Sequence, residues 1–182
     1  MQRLRGDARP GSGDATMAMK TMDDLFLLTL KDVYYAERQL LKALPKMARA
    51  AQNDELKQAF KDHKDQTEGQ VERLQQVFQI LGKRAQGVTC EAIQGLIQEA
   101  EELLEEAPEP SAVRDAGLIA SGQAVEHYEM ARYGTLLAWA EAQKQTEIAE
   151  LLKATLEEEK AADKLLTQVA VRSIHKEALK AA

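Results

Sequence analysis

The chain has 182 residues, with 24 Lys+Arg against 30 Asp+Glu and a formal charge of −6 at pH 7. Hydrophobic residues make up 45% and charged residues 30%, an ordinary globular mix that excludes wholesale disorder and fits one domain. Aromatics at 4% argue against a β-sandwich or barrel, the single cysteine excludes an internal disulfide framework, and the acidic balance argues against nucleic-acid wrapping.

Residues 1–20 read as a disordered tail, because Gly6, Pro10, Gly11, Ser12 and Gly13 break any periodicity and Arg3, Arg5 and Arg9 keep the segment polar. No apolar stretch follows the basic start, which argues against a secretory signal. The run from Leu25 to Leu28 is too short to span a bilayer. Together with the lone Cys90, these features place the expected home of the chain in the reducing cytoplasm, away from membranes.

From Thr21 the apolar residues recur at helical spacing. The first helix is expected over 22–51, with the seam Phe26, Leu30, Val33, Glu37, Leu40, Leu44 and Met47, and with Pro45 kinking or tightening its last turns. Asn53 suits an N-cap, and the second helix follows over 54–81 with the seam Leu56, Phe60, His63, Thr67, Gln70, Leu74, Val77 and Leu81. Gly82 stops it. The stretch 82–111 is a connector holding one amphipathic helix over 90–105. A third long helix over 113–143 carries Ile119, Gly122, Glu126, Glu129, Tyr133, Leu136 and Ala140; a fourth over 146–176 carries Leu152, Leu156, Glu159, Asp163, Leu166 and Ala170.

Short loops join the first two long helices and the last two, so each pair must form an antiparallel hairpin. The connector of about thirty residues is long enough to return along the bundle, and two hairpins joined by a long crossover is the topology of ferritin-like bundles. The fold class expected is therefore all-α, a four-helix bundle of residues 21–176 whose crossover carries an extra helix.

The seams are not purely apolar. Glu37, His63, Glu126, Glu129, Glu159 and Asp163 stand at positions that should face the interior, and no Lys or Arg shares those seams. Any one of them alone reads as ordinary: a solvent-facing Glu, or a core histidine hydrogen-bonded to Thr67. Together they conflict, because a buried carboxylate must be protonated, paired or bound to a cation. Measured from the hairpin turns near Gln52 and Lys144, Glu37, Glu129 and Glu159 all lie about fifteen residues away, so both hairpins can deliver acids to mid-bundle. Oxygen donors with one imidazole suit iron or manganese, with zinc as a further option. By the same measure His63 stands about one turn nearer its loop than Glu37's level, which makes Glu68 a reserve ligand. Dicarboxylate bundles carry Glu-x-x-His on two helices; this chain has no such pair on its second or fourth helix. Tyr133 can orient a carboxylate.

The segments LKDVYYAE (30–37), HKDQTEGQVERL (63–74), VEHYEMARYG (125–134) and LEEEKAADKL (156–165) resemble the YciE/YciF family of ferritin-like bacterial stress-associated proteins over roughly residues 21–171. The resemblance implies a ferritin-like fold, a dinuclear iron or manganese centre and a homodimer. It puts acidic ligands at Glu37, Glu126, Glu129, Glu159 and Asp163, with His63 as the imidazole. The departure from paired Glu-x-x-His argues against ferritin-type or rubrerythrin-type activity. A competing reading is a metal-free helical interaction module with a hydrated acidic interior, docking partners on the acidic helix of the connector.

Overall fold

The computed structural model describes residues 19–180; most of the expected tail, residues 1–18, lies outside them. Five main helices follow in order: α1 Met22–Ala50, α2 Asp54–Ile80, α3 Glu91–Glu106, α4 Ala112–Ala142 and α5 Thr146–Val169. A π-helical turn, Ala170–Ile174, and a short helix, His175–Ala178 (α6), extend the last of them. No strand occurs among the described residues, and no helix there is long and apolar enough to cross a membrane.

Local chemistry sets the helix ends. Thr21 opens α1 in a capping box: its hydroxyl accepts from the Asp24 amide, and the Asp24 carboxylate accepts from the Thr21 amide at 3.0 Å. Asn53 caps α2 by accepting from Leu56 N–H at 3.0 Å, and Ser111 caps α4 through Arg114 N–H at 3.1 Å. At the end of α2, Gly82 takes φ +64, and Lys83 N–H returns to the Phe78 carbonyl. Helix α1 runs on through Pro45 to Ala50.

The direction of each helix follows from contacts at its ends. Val88 N–H donates to the Lys31 carbonyl, so the loop after α2 returns to the start of α1. Helix α3 then runs beside α1, with Gln94 donating to the Tyr35 hydroxyl and Lys46 paired to Glu101. Helix α4 starts back at the α1–α2 turn, where Asp115 accepts from Gln52 N–H at 2.8 Å and from Asn53 N–H at 2.7 Å. Its far end meets the beginning of α1, through Gln143 and Asp23. Hairpin α1–α2 therefore packs against hairpin α4–α5, with α2 beside α5 and α1 beside α4. Neighbouring long helices are antiparallel, and α3 is the crossover. This is the expected ferritin-like arrangement.

Every seam residue named above is buried except Leu81 and Asp163, which are partly exposed. The core is split. One apolar cluster, including Leu40, Leu44, Phe60, Ile119 and Leu166, fills the end near the α1–α2 turn. A second, including Leu30, Tyr34, Leu74, Tyr133 and Leu152, fills the opposite end. Gly122 allows α4 to approach its neighbours, since a Cβ there would lie 3.1 Å from Leu166 and 3.4 Å from Phe60. Between the two clusters lie the polar seam positions.

Asp115 is 1% exposed and holds two loop amides, while neighbouring Arg114 donates to the Pro108 and Ala50 carbonyls. Removing the carboxylate strands two amides that it had satisfied. Asp115→Ala is expected to lower stability by about 2–3 kcal/mol, at the upper end for charged hydrogen bonds. Urea unfolding measures the loss.

Candidate metal centre

Four side chains from three helices converge between the apolar clusters. His63 of α2, Glu126 and Glu129 of α4 and Glu159 of α5 each offer a ligand atom within 4.8 Å of the others, and all four are buried. His63 Nε2 lies 3.2 Å from Glu126 Oε1 and 3.7 Å from Glu159 Oε2. Glu37 of α1 reaches the same layer: its Oε1 accepts from the Tyr133 hydroxyl, and its charge is felt by Glu126, Glu129 and Tyr133.

Much of this polar surface is unsatisfied. Among the described residues, both oxygens of Glu129 and of Glu159, one each of Glu37 and Glu126, and His63 Nε2 have no hydrogen-bond partner. Buried polar groups are normally paired, so an orphaned set gathered at one point marks a candidate ligand position. Burial first, then mutual repulsion, pushes the Glu37 and Glu129 carboxyls well above the ordinary carboxylate range. Burial and the charge of Glu159 do the same to Glu126. Glu159 is pushed up to about 7, burial again being the main cause. Burial lowers His63, keeping its imidazole neutral and available as a donor, and drives the Tyr133 hydroxyl upward so that it stays protonated.

A cation does stand nearby, one that the seam pattern does not reveal. Arg73 of α2 flanks the layer, donating through Nε to Thr155 at 2.9 Å and pairing with Glu158, and its charge eases the ionisation of Glu37 and Glu159. It is committed to Glu158 and leaves the orphaned oxygens unbound. Gln70, fully buried, also turns to Glu158, at 3.1 Å. Thr67 donates to the His63 carbonyl rather than to its ring, and the ring Nδ1 faces Gln66 Oε1 at 3.4 Å.

The remaining sequence candidates are placed elsewhere. Asp163 is outside the group; its Oδ1 accepts from Gln123 at 3.0 Å and lies 3.4 Å from His127 Nε2, with its side chain 24% exposed. At 3.6 residues per turn it stands about 40° round the helix from Glu159, enough to put it on the bundle's flank. Glu68 is exposed and paired with Lys64 at 2.6 Å, so His63 is the α2 residue that faces the layer. His63 does stand about one turn nearer the α1–α2 turn than Glu37, and at that turn the Asp115 contact sets its level against α4. Counted from that contact, His63 is about ten residues below Asn53 and Glu126 about eleven below Asp115, which makes them level.

A four-helix bundle with a polar layer at mid-height, closed by an antiparallel pair of hairpins and a long crossover, defines the protein as a ferritin-like helical fold. The chain belongs to the family described as a domain of unknown function, DUF892, whose pattern matches residues 21–179. It is 48% identical over 163 residues to Protein YciF of Escherichia coli K12, covering 89% of this chain and 98% of that one. The crystal structure of the E. coli stress protein YciF superposes with a TM-score of 0.82 at 48% identity, covering 87% of this chain and 99% of that one. YcfI of Rhodopseudomonas palustris matches with a TM-score of 0.81 at 49% identity, over 84% of this chain and 96% of the other. A protein from Xanthomonas campestris shares the fold at 19% identity, with a TM-score of 0.67 over 86% of this chain and 94% of its own.

The raised carboxyls make a pH signature. A carboxyl whose folded value lies above its ordinary 4.5 adds stability below that value and loses it as pH rises through the folded value, which for Glu159 is about 7. His63, lowered from 6.5, works in the opposite direction, but as one group against four. Metal-free protein is therefore expected to melt at a lower temperature at pH 8.5 than at pH 5.5, and Glu129→Gln to flatten that slope. Calorimetry in chelator-containing buffers reads both.

Proposed function

We propose that this chain is a metal-binding member of its family, holding iron or manganese in a dinuclear centre at mid-bundle, and that it serves stress protection. The single observation that supports this reading is the set of orphaned carboxylate oxygens and one imidazole nitrogen in a layer sealed between two apolar clusters. Glu37, Glu126, Glu129 and Glu159 together carry a formal charge near −4 when ionised, which about two divalent cations neutralise, and His63 adds a neutral nitrogen donor. Such ions would supply redox chemistry toward dioxygen or peroxide.

The protein's own part is to hold and shield. The apolar clusters keep bulk water from both ends of the layer, Tyr133 fixes one oxygen of Glu37 and leaves the other free, and the burial of all five side chains keeps ligand competition low. Asp163, beside His127 at the edge, is a supporting group rather than a donor in this arrangement. The proposal includes a homodimer, as the family resemblance implies, and a cytoplasmic setting, which suits a lone buried cysteine; sedimentation tests the first and fractionation the second. The metal-free interaction module keeps one feature in its favour, the exposed acids Glu99, Glu101, Glu102, Glu105 and Glu106 on α3.

Elemental analysis of protein produced in iron- or manganese-supplemented medium separates the two. Stoichiometric metal that is lost in Glu37→Ala and Glu129→Ala supports the centre; none under replete conditions favours the module. Glu129→Gln should abolish tight binding yet stabilise the metal-free fold by roughly 1 kcal/mol, or about 2–4 °C for a chain of this size. Tyr133→Phe should weaken metal affinity about 10–100-fold, as expected when a group orienting a ligand is removed.

A further inference from the structure

The polar layer is closed on most sides and open on one. Glu37, Glu129 and Glu159 are fully buried, whereas His63 and Glu126 also line a cavity of about 180 Å³ between α2 and α5. At about 30 Å³ per liquid water, that space admits several water molecules. Its outer rim carries Asp62 and Gln66, both exposed, and its far wall is Ala161 and Ala162. No Lys or Arg is among the lining residues.

We propose that this cavity is the route by which hydrated divalent cations reach the buried layer, a statement that rests on the metal reading above. Three features carry it. The charges run the right way: Asp62 at the mouth attracts cations and repels anions, and no Lys or Arg of the lining opposes it. The inner end presents donors without partners, Glu126 Oε2 and His63 Nε2, each buried by more than nine-tenths of its residue surface. And the wall is kept low at a telling position. Ala162 follows Glu159 by three residues, where dinuclear bundles place the His of Glu-x-x-His; with only a methyl group there, the space that an imidazole would fill is left as a passage. The ring of His63 spans the two ends, its Nδ1 lying 3.4 Å from Oε1 of the exposed Gln66 and its Nε2 3.2 Å from Glu126.

The test uses the full chain stripped of metal, with Co²⁺ as the probe. Uptake is followed by competition with a chromogenic chelator, and release by transferring the loaded protein into excess chelator. Ala162→Phe plugs the wall, and is expected to slow uptake and release alike by tenfold or more while the dissociation constant stays within twofold, the signature of a blocked path rather than a damaged site. Asp62→Lys, on the exposed rim, is expected to slow uptake several-fold at low salt and to converge on wild type at high salt. Should Ala162→Phe fail to fold, the Asp62→Lys result decides. Unchanged rates in the variants, with wild-type protein loading normally, overturn the route and leave the centre standing. Wild-type protein that takes up no Co²⁺ overturns the metal reading, and the route with it.

Discussion

Four carboxylates share one buried layer in the middle of this bundle, and the rest of the structure is arranged around that conflict. Each of Glu37, Glu126, Glu129 and Glu159 is held above its ordinary range, and desolvation is the main cause every time. Arg73 relieves Glu37 and Glu159 from the side but is bound to Glu158, which leaves the central oxygens bare. A fold seeking only stability would fill this layer with leucine, since replacing buried charge by well-packed apolar groups is often stabilising. The seams do so above and below the layer, and stop doing so within it.

The layer costs stability, and the remainder of the molecule compensates. Two apolar clusters bracket it, one centred on the α1–α2 turn and roofed by α3, the other at the α4–α5 turn. Asp115 and Arg114 tie the start of α4 to the α1–α2 turn, so the two hairpins meet at a fixed offset. That offset brings His63 level with Glu126. A register error of one turn, about 5.4 Å, would separate them. The crossover helix thus has a positional role: by returning the chain to the α1–α2 turn, it determines where Asp115 begins the second hairpin.

The fold was legible in the sequence because it rests on local, repeated signals. Seam spacing, Asn53 and Gly82 placed α1 and α2 to within a residue or so, and loop lengths gave the topology. The burial of the seam acids Glu37, Glu126, Glu129 and Glu159 was legible too, since the apolar residues around them mark an inward face. What the pattern does not show is how far each side chain turns from the seam and what it meets on the next helix. Asp163 shares the seam of α5 by count, yet a modest rotation around the helix puts it beside Gln123 and His127. Arg73 and Gln70 shape the field around the layer through contacts to α5, and Asp115 acts through loop amides; neither kind of contact has a periodic trace in the chain. A buried Arg-Asp pair following a serine cap, just past Pro108 and Pro110, was the one local hint of the clamp.

The distribution of donors over the helices gives the site a front and a back. Helix α4 supplies two acids one turn apart, α1 and α5 one each, and α2 the lone imidazole. A symmetric dinuclear bundle would carry histidine on both of two helices; here the α4 position three residues after Glu126 is Glu129, and the α5 position three after Glu159 is Ala162. The first change adds negative charge at the sealed back, against Tyr133 and Glu37. The second removes bulk at the front, against His63 and the cavity. Burial is therefore graded across one layer: Glu37, Glu129 and Glu159 lie where the surroundings are most completely closed, and His63 with Glu126 stands where the layer meets the cavity.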